Sequence, residues 1–440
     1  MAVFSFDQDT TPPMPAAHLD REARRRDGAD EFAAALVSGE AWERFCEGLR
    51  HAGTAVLRSQ EAASDTDLAE GFRYLMGLTF QMLLGELHRT DADAPAFTVT
   101  ASDVAKHAMD NPDATLISAP LSGDGTFRVY GTVRSIRMLE LVVYGGGPPT
   151  MHYLGDFERG PDGAFSVVLS AAEHPGNWIP LRPGADRLLV RRVQYDWDAE
   201  EIPHLAIERL DGVADTVPWC LRVPTAAEVG EQLDALGTIL SENADYWVDM
   251  VHSFRDGGDN VVPPPRPLPS TGANDARSSV KGFFVLRPDE ALIVSFTPPE
   301  GLFWSVSVGD MWYRTFDYSH HQTSLNGHQA VVDPDGTCRV VISDHDPGVA
   351  NWLDTVGHER GVLILRWVMT SDRPEVTTML VPLEQLDEVL PERTLRVTPE
   401  QRAQVLARRR VAVAKRWSVP LTSRWSYSTA VLDPDPERLR

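Results

Sequence analysis

The chain has almost no cysteine. Its 440 residues include three, Cys46, Cys220 and Cys338. They lie far apart and show no CxxC spacing, so neither a disulfide framework nor a cysteine-ligated zinc site is suggested, and each is expected to be a small buried hydrophobe. Long apolar runs are missing as well. None approaches the roughly 18 residues of a membrane span, and the N-terminal MAVFSFDQDTTPPMP lacks the basic-then-apolar order of a signal peptide. A cytoplasmic protein is the default expectation. Positive charge is in short supply, with 41 Lys and Arg against 64 Asp and Glu and a formal charge of −23. Neither a nucleic acid nor an anionic membrane is therefore an expected partner.

Several motifs are absent too. There is no Gly-x-Ser-x-Gly elbow, Rossmann fingerprint or P-loop, which counts against a common serine hydrolase, a dehydrogenase and an NTPase. Gly145-Gly146-Gly147-Pro148-Pro149 has no Lys-Ser/Thr or following helix to make it a phosphate loop. Asp333-Pro334-Asp335-Gly336 and Pro161-Asp162-Gly163 lack the alternating acidic ligands of a calcium loop and read as hairpin turns.

What is present divides the chain. Residues 1–28 are a polar arm. Residues 29–95 carry apolar residues at spacings of three and four (Phe32, Leu36, Phe45, Leu49, then Leu68, Phe72, Leu75, Leu78), which predicts a helical unit. Over 96–222 the period changes to short β-like runs such as TLISAPL, TFRVYGT and LELVVYG, and a first β-sandwich is expected. Residues 223–272 read as a connecting helix and the proline-rich linker NVVPPPRPLPSTG, and 273–395 as a second β-sandwich. Residues 396–440 read as a basic surface helix, opened by Thr-Pro-Glu, with a tail. The fold class expected is mainly β with added helices (α+β), built on two tandem jelly-roll-like sandwiches.

The two β regions look like copies. DGTFRVYG at Asp124 lies against DEALIVSF at Asp289, 165 positions on, and DGAFSVVLS at Asp162 against DGTCRVVIS at Asp335, 173 on. Asn177-Trp178 matches Asn351-Trp352, and Arg192 matches Arg366, both at 174. The second copy thus carries eight extra residues, which fall within 310–330. Features in both copies are expected to be structural, and features in one copy are the functional candidates. Shared Asn-Trp reads as a turn residue with a core anchor, whereas Asp344, His345, Asp346 and His358 occur in the second copy only.

With the copies aligned, MDNPDATLISAPLSGDGTFRVYGT, with EGFRYLMGL upstream, and DPDGTCRVVISDHDPGVANWLDTVGHERGVLILRW resemble bacterial proteins that carry the domain of unknown function numbered 1214, together with its associated 1254-type N-terminal region. The likeness covers roughly residues 65–415. It implies jelly-roll-like sheets with added helices, and it implies no reaction.

The candidate chemistry lies in the inserted loop and the acid-histidine decoration. His321 or His345 is the expected base, Asp344 or Asp346 its orienting partner, and Tyr318 a hydrogen-bond donor. His320, His328, Trp304, Trp312, Tyr313 and Asp110 are the expected substrate contacts. Asp110 stands in an Asp-Asn-Pro-Asp turn that can offer a carboxylate to a cleft. Imidazole and carboxylate also suit a metal, but adjacent histidines in a strand point to opposite faces and no HxH or HExxH spacing occurs, so no metal is expected. No organic cofactor is expected either. The reading is an acid-base enzyme of hydrolase, lyase or isomerase type acting on a small, largely apolar or cyclic molecule. The other class kept open is a non-catalytic module that binds carbohydrate or lipid through an aromatic-lined cleft. Oligomeric state is left open.

Overall fold

The computed structural model describes residues 28–87, 92–106, 108–211, 223–255, 257–264, 266–267 and 277–417. Most of the polar arm, part of the proline-rich linker, the C-terminal tail and Cys220 lie outside these residues.

Helices α1 (Ala29–Ser38), α2 (Glu40–Arg58) and α3 (Asp65–Leu87) form the N-terminal unit with α4 (Ala226–Arg255). Their packed faces meet in a core of Phe45, Ala52, Val56, Leu78, Leu236 and Leu240. The backbones come close where Gly48 faces Gly237, because a Cβ on Gly48 would sit 2.2 Å from the Gly237 carbonyl oxygen. Helix α3 is opened by a capping box, in which Asp67 N–H donates to Ser64 Oγ (3.1 Å) and Ser64 N–H to Asp67 Oδ2 (3.1 Å).

Two pairs of facing sheets follow. The first pair uses β1 (Thr98–Val99), β2 (Ala114–Pro120), β3 (Phe127–Thr132), β4 (Met138–Gly145), β5 (Thr150–Tyr153), β6 (Ala164–Ser170), β7 (Trp178–Pro180), β8 (Ala185–Val193) and β9 (Leu205–Arg209). Its strand orders are β1-β2-β8-β4-β5 and β7-β6-β3-β9. The second pair uses β10 (Arg266–Pro267), β11 (Arg277–Val285), β12 (Glu290–Phe296), β13 (Gly301–Gly309), β14 (Ser324–Asn326), β15 (Cys338–Ser343), β16 (Trp352–Asp354), β17 (Arg360–Thr370) and β18 (Thr377–Pro382). Its orders are β10-β11-β17-β13-β14 and β16-β15-β12-β18, the same arrangement with every label advanced by nine. Each pair encloses its own apolar core, around Phe127, Leu139, Val167 and Leu188 in the first and Val294, Val306, Val340 and Leu365 in the second. The short helix α5 (Leu386–Val389) and the long α6 (Pro399–Trp417) end the described chain.

The Asn-Trp turns are built alike. Trp178 Nε1 donates to Ser170 O and Oγ, both at 3.1 Å, and Trp352 Nε1 to Ser343 O and Oγ at the same distances. Asn177 Nδ2 donates to Glu158 O and Ser166 O, and Asn351 Nδ2 to Val331 O and Arg339 O. Burial separates them, since Trp352 is 6% exposed while Trp178 is only half-buried.

Three local expectations need correction. Cys46 is exposed on α2, although Cys338 is buried. The linker segment contributes to the second sandwich: Asn260 hydrogen-bonds Val285 through both its amide groups, and Arg266–Pro267 is an edge strand beside β11. Helix α6 lies at the surface, with Arg408, Arg410 and Lys415 exposed, but its basic character is not all solvent-facing, because Arg402, Arg409 and Arg416 are buried. Seven residues is close to two helical turns, so the three arginines share one face, and that face points inward.

Candidate functional site

The inserted segment is the connection between β13 and β14. It runs over residues 310–323, where the first sandwich has only 146–149. It opens on a self-contained turn: the buried carboxylate of Asp310 accepts from Trp312 N–H (2.9 Å), Arg314 N–H (3.1 Å) and Arg314 Nε (2.8 Å). Burial pushes the Asp310 carboxyl upward, against the pull of Arg314. From this turn Trp312 enters the helical core, donating Nε1 to Asp67 O (2.8 Å) and stacking on Tyr74. Gly71 leaves room for it.

Further on, Thr315 donates Oγ1 to Asp110 (2.9 Å), and Lys106 Nζ donates to Thr315 O (3.2 Å) and Phe316 O (2.7 Å). Tyr318 is buried under Lys106 Nζ, 4.2 Å from its ring centre, and against Trp197. The loop thus touches the helical unit, the segment before β2 and helix α6. Its aromatic residues are consumed by these contacts. Tyr313 is 4% exposed and Trp312 2%, while Trp304 lies in the second core against Phe296.

The histidines are distributed in separate pairs. His321 Nδ1 lies 2.8 Å from Asp354 Oδ2, at the end of β16. The other oxygen of Asp354 accepts from Val356 N–H (2.7 Å), which fixes the carboxylate. The Gln322 carbonyl accepts from Asp354 N–H (2.9 Å), which fixes the backbones side by side. With Nδ1–H donated to a carboxylate, the neutral imidazole keeps its lone pair on Nε2. Among the described residues nothing bonds that nitrogen, and the side chain is 39% exposed.

His320 pairs with Asp317 (2.8 Å) on the surface, and His328 approaches Asp196 at 3.5 Å beside Tyr195. His345 is 70% exposed, 3.2 Å from its neighbour Asp344. Asp346 serves no histidine. Both its oxygens face Arg402, whose Nη1 also donates to Gln322 Oε1 (2.9 Å) and whose Nη2 donates to Val349 O. No three His, Cys, Asp or Glu side chains among the described residues converge as metal ligands would.

A second histidine sits in a different state. His358 donates Nδ1 to Thr355 O (2.9 Å) and Nε2 to Glu70 Oε1 (2.9 Å), with the Phe316 ring stacked on it. Burial opposes its charge, but Glu70 and the Thr355 carbonyl together outweigh burial and push its pKa up. When protonated it donates from both nitrogens, tying α3 to the second sandwich, and both ring nitrogens are occupied, so it offers no free base position. Near α6, Asp113 is fully buried, accepting from Trp197 Nε1 and Asn326 Nδ2 (both 2.7 Å), and the guanidinium groups of Arg409 and Arg416 lie 4.6 and 4.5 Å from the Trp197 ring centre.

Sequence reasoning picked out His321 but missed Asp354, 33 positions away. A signal was available. Asp354 pairs in register with Ser343 as Pro180 does with Ser170, so the carboxylate belongs to the second sandwich only.

Over residues 288–372 the chain matches the family model described as a protein of unknown function, DUF1214. A solved uncharacterized protein from Burkholderia cenocepacia is similar at 30% identity and a TM-score of 0.74, covering 80% of this chain and 100% of that one. The chain belongs to the DUF1214 family. The family match spans β12 to β17 and includes His321, Asp354, His345 and His358. A Vibrio parahaemolyticus protein aligns at 12% identity and a TM-score of 0.41, over 76% of this chain and 100% of that one. No functionally curated protein matches this DUF1214 chain.

Proposed function

We propose that the protein is an acid-base enzyme that acts at His321 and Asp354 on a small, largely apolar or cyclic molecule. The supporting observation is the 2.8 Å contact from Asp354 to His321 Nδ1, which leaves Nε2 on a half-exposed face. A carboxylate that orients an imidazole and stabilises its protonated form is the arrangement of a general base. Burial of Trp304, Trp312 and Tyr313 removes them both as substrate contacts and as the open aromatic strip of a binding module, so the His321–Asp354 pair alone carries the enzyme reading.

To the same reading belong a cytoplasmic location and the view that the sandwiches are copies of one unit. Among the described residues no helix is long and apolar enough to cross a membrane. The shared strand order and the paired Ser-Trp hydrogen bonds support the repeat.

The test is a panel of aryl esters, epoxides, β-hydroxy acids and enolisable ketones, with native mass spectrometry of protein from its own host to add any co-purified ligand. Turnover found with the wild type should fall about 10²–10⁴-fold in His321→Gln, the usual worth of a general base. Full activity in that variant would remove His321 from the chemistry, and no turnover across the whole panel would favour a binding protein.

A further inference from the structure

Over its middle, residues 71–80, helix α3 is apolar on both its inner and its outer face. Its inner face, with Tyr74, Leu75 and Leu78, is buried in the helical core. On the outer face Phe72, Met76 and Phe80 are 37%, 66% and 47% exposed. A helix apolar on both sides belongs in an interior, whereas a helix at a protein surface presents charge to water. Over residues 72–80 the only charged side chain is Arg73. The acidic residues nearest in sequence are engaged inward, Glu70 with His358 and the buried Glu86.

The row is symmetric. Phe72 stands one turn before Met76 and Phe80 one turn after it, so the row reads the same in both directions. A two-fold axis through Met76 that brings up a second α3 antiparallel sets Phe72 against Phe80 of the second copy, and Met76 against Met76. Rows at spacing four are also those that interdigitate when two helices cross. The apolar surface continues onto α2: a Cβ on Gly53 would lie 3.8 Å from the Phe72 ring, and Leu57, one turn on, is 59% exposed.

Charge decides among occupants. A chain with a formal charge of −23 repels its own copies over most of its surface. Two copies can meet only where carboxylates are sparse, and the outer face of α3 is such a place. A basic partner would find no acid there to pair with. We propose that α3 is the interface of a two-fold homodimer, an isologous contact of the commonest kind.

The experiment is sedimentation velocity of the full chain, with cross-linking to fix the geometry. The wild type should sediment as two chains and Met76→Glu as one, with an unchanged circular dichroism spectrum because Met76 supports no core. In a Cys46→Ser, Cys220→Ser background, Met76→Cys should oxidise to a covalent dimer. Phe72→Cys mixed with Phe80→Cys should cross-link more than either alone. A monomeric wild type, a dimer that survives Met76→Glu, or cross-linking indifferent to position would each overturn the proposal.

Discussion

Asp354 grips His321 at Nδ1 from a strand position that proline occupies in the first sandwich. The two residues are joined by tertiary structure alone, and the pairing makes His321 and His345, the two candidate bases, unequal. His345, out in solvent beside Asp344, has no buried carboxylate to hold it. On any substrate found by the panel, His345→Ala should retain activity and His321→Ala should lose it. His345→Ala should melt within about 1–2 °C of the wild type, since a largely exposed side chain contributes little to stability, whereas His321→Ala also breaks a part-buried hydrogen bond and should cost about 0.5–1.5 kcal/mol. Loss of activity in His345→Ala would move the base to the other pair.

His358 gives the protein a pH-dependent tie between α3 and the second sandwich. Its folded pKa is raised, and its unfolded value is about 6.5. The stabilisation is therefore fully present below about pH 6.5, while Glu70 stays ionised, and is lost as pH rises through the folded value. His358→Gln should destabilise the fold most near pH 6, by an amount on the order of 1 kcal/mol for a partly buried pair, read as a lowered melting temperature. The gap should narrow by pH 8.5, and a gap that widened with pH would contradict the ion pair.

The matched tryptophans should not be matched in energy. Trp352→Ala removes a buried indole and is expected to cost about 3–5 kcal/mol. Trp178 makes the same hydrogen bonds from a half-buried position, so Trp178→Ala should cost clearly less. Urea unfolding of the two variants checks the order, and equal costs would mean that burial is not what distinguishes them.

Gly71 tests the docking of the inserted loop. A Cβ there would meet the Trp312 ring at 2.5 Å and Val56 Cγ1 at 2.7 Å. Alanine would favour the helix by about 1 kcal/mol, but overpacking costs about 1–3 kcal/mol. The net should be destabilising, and indole fluorescence should shift as Trp312 is displaced. A stabilised Gly71→Ala would show that the loop yields freely.

Arg402 carries a further expectation. Its side chain is 7% exposed and ties Asp346, Gln322 and Val349 to α6. Arg402→Ala should cost about 1–3 kcal/mol, the penalty for leaving the buried Gln322 and Val349 acceptors without their donor beside a partly exposed Asp346, measured by thermal or urea unfolding. A near-neutral variant would mean that water replaces the guanidinium.

The sequence by itself determined the alternation of helical and β segments, the two sandwiches with a longer loop in the second, and the pairing of Trp178 with Trp352. These follow from periodicity and from residues repeated at one offset, both of which are local or nearly so. It also pointed to His321. Tertiary structure decided what that histidine meets, because Asp354 arrives on another strand and a hydrogen bond across 33 positions leaves no periodic trace. Tertiary structure also decided that Trp304, Trp312, Tyr313 and Tyr318 are interior, since an aromatic beside a loop has the same composition whether it faces solvent or a neighbouring helix. The arginines of α6 show the same limit. Their seven-residue spacing is visible in the chain, but a basic face turns inward only where carbonyls such as those of Val349, Tyr318 and Pro112 wait to receive it.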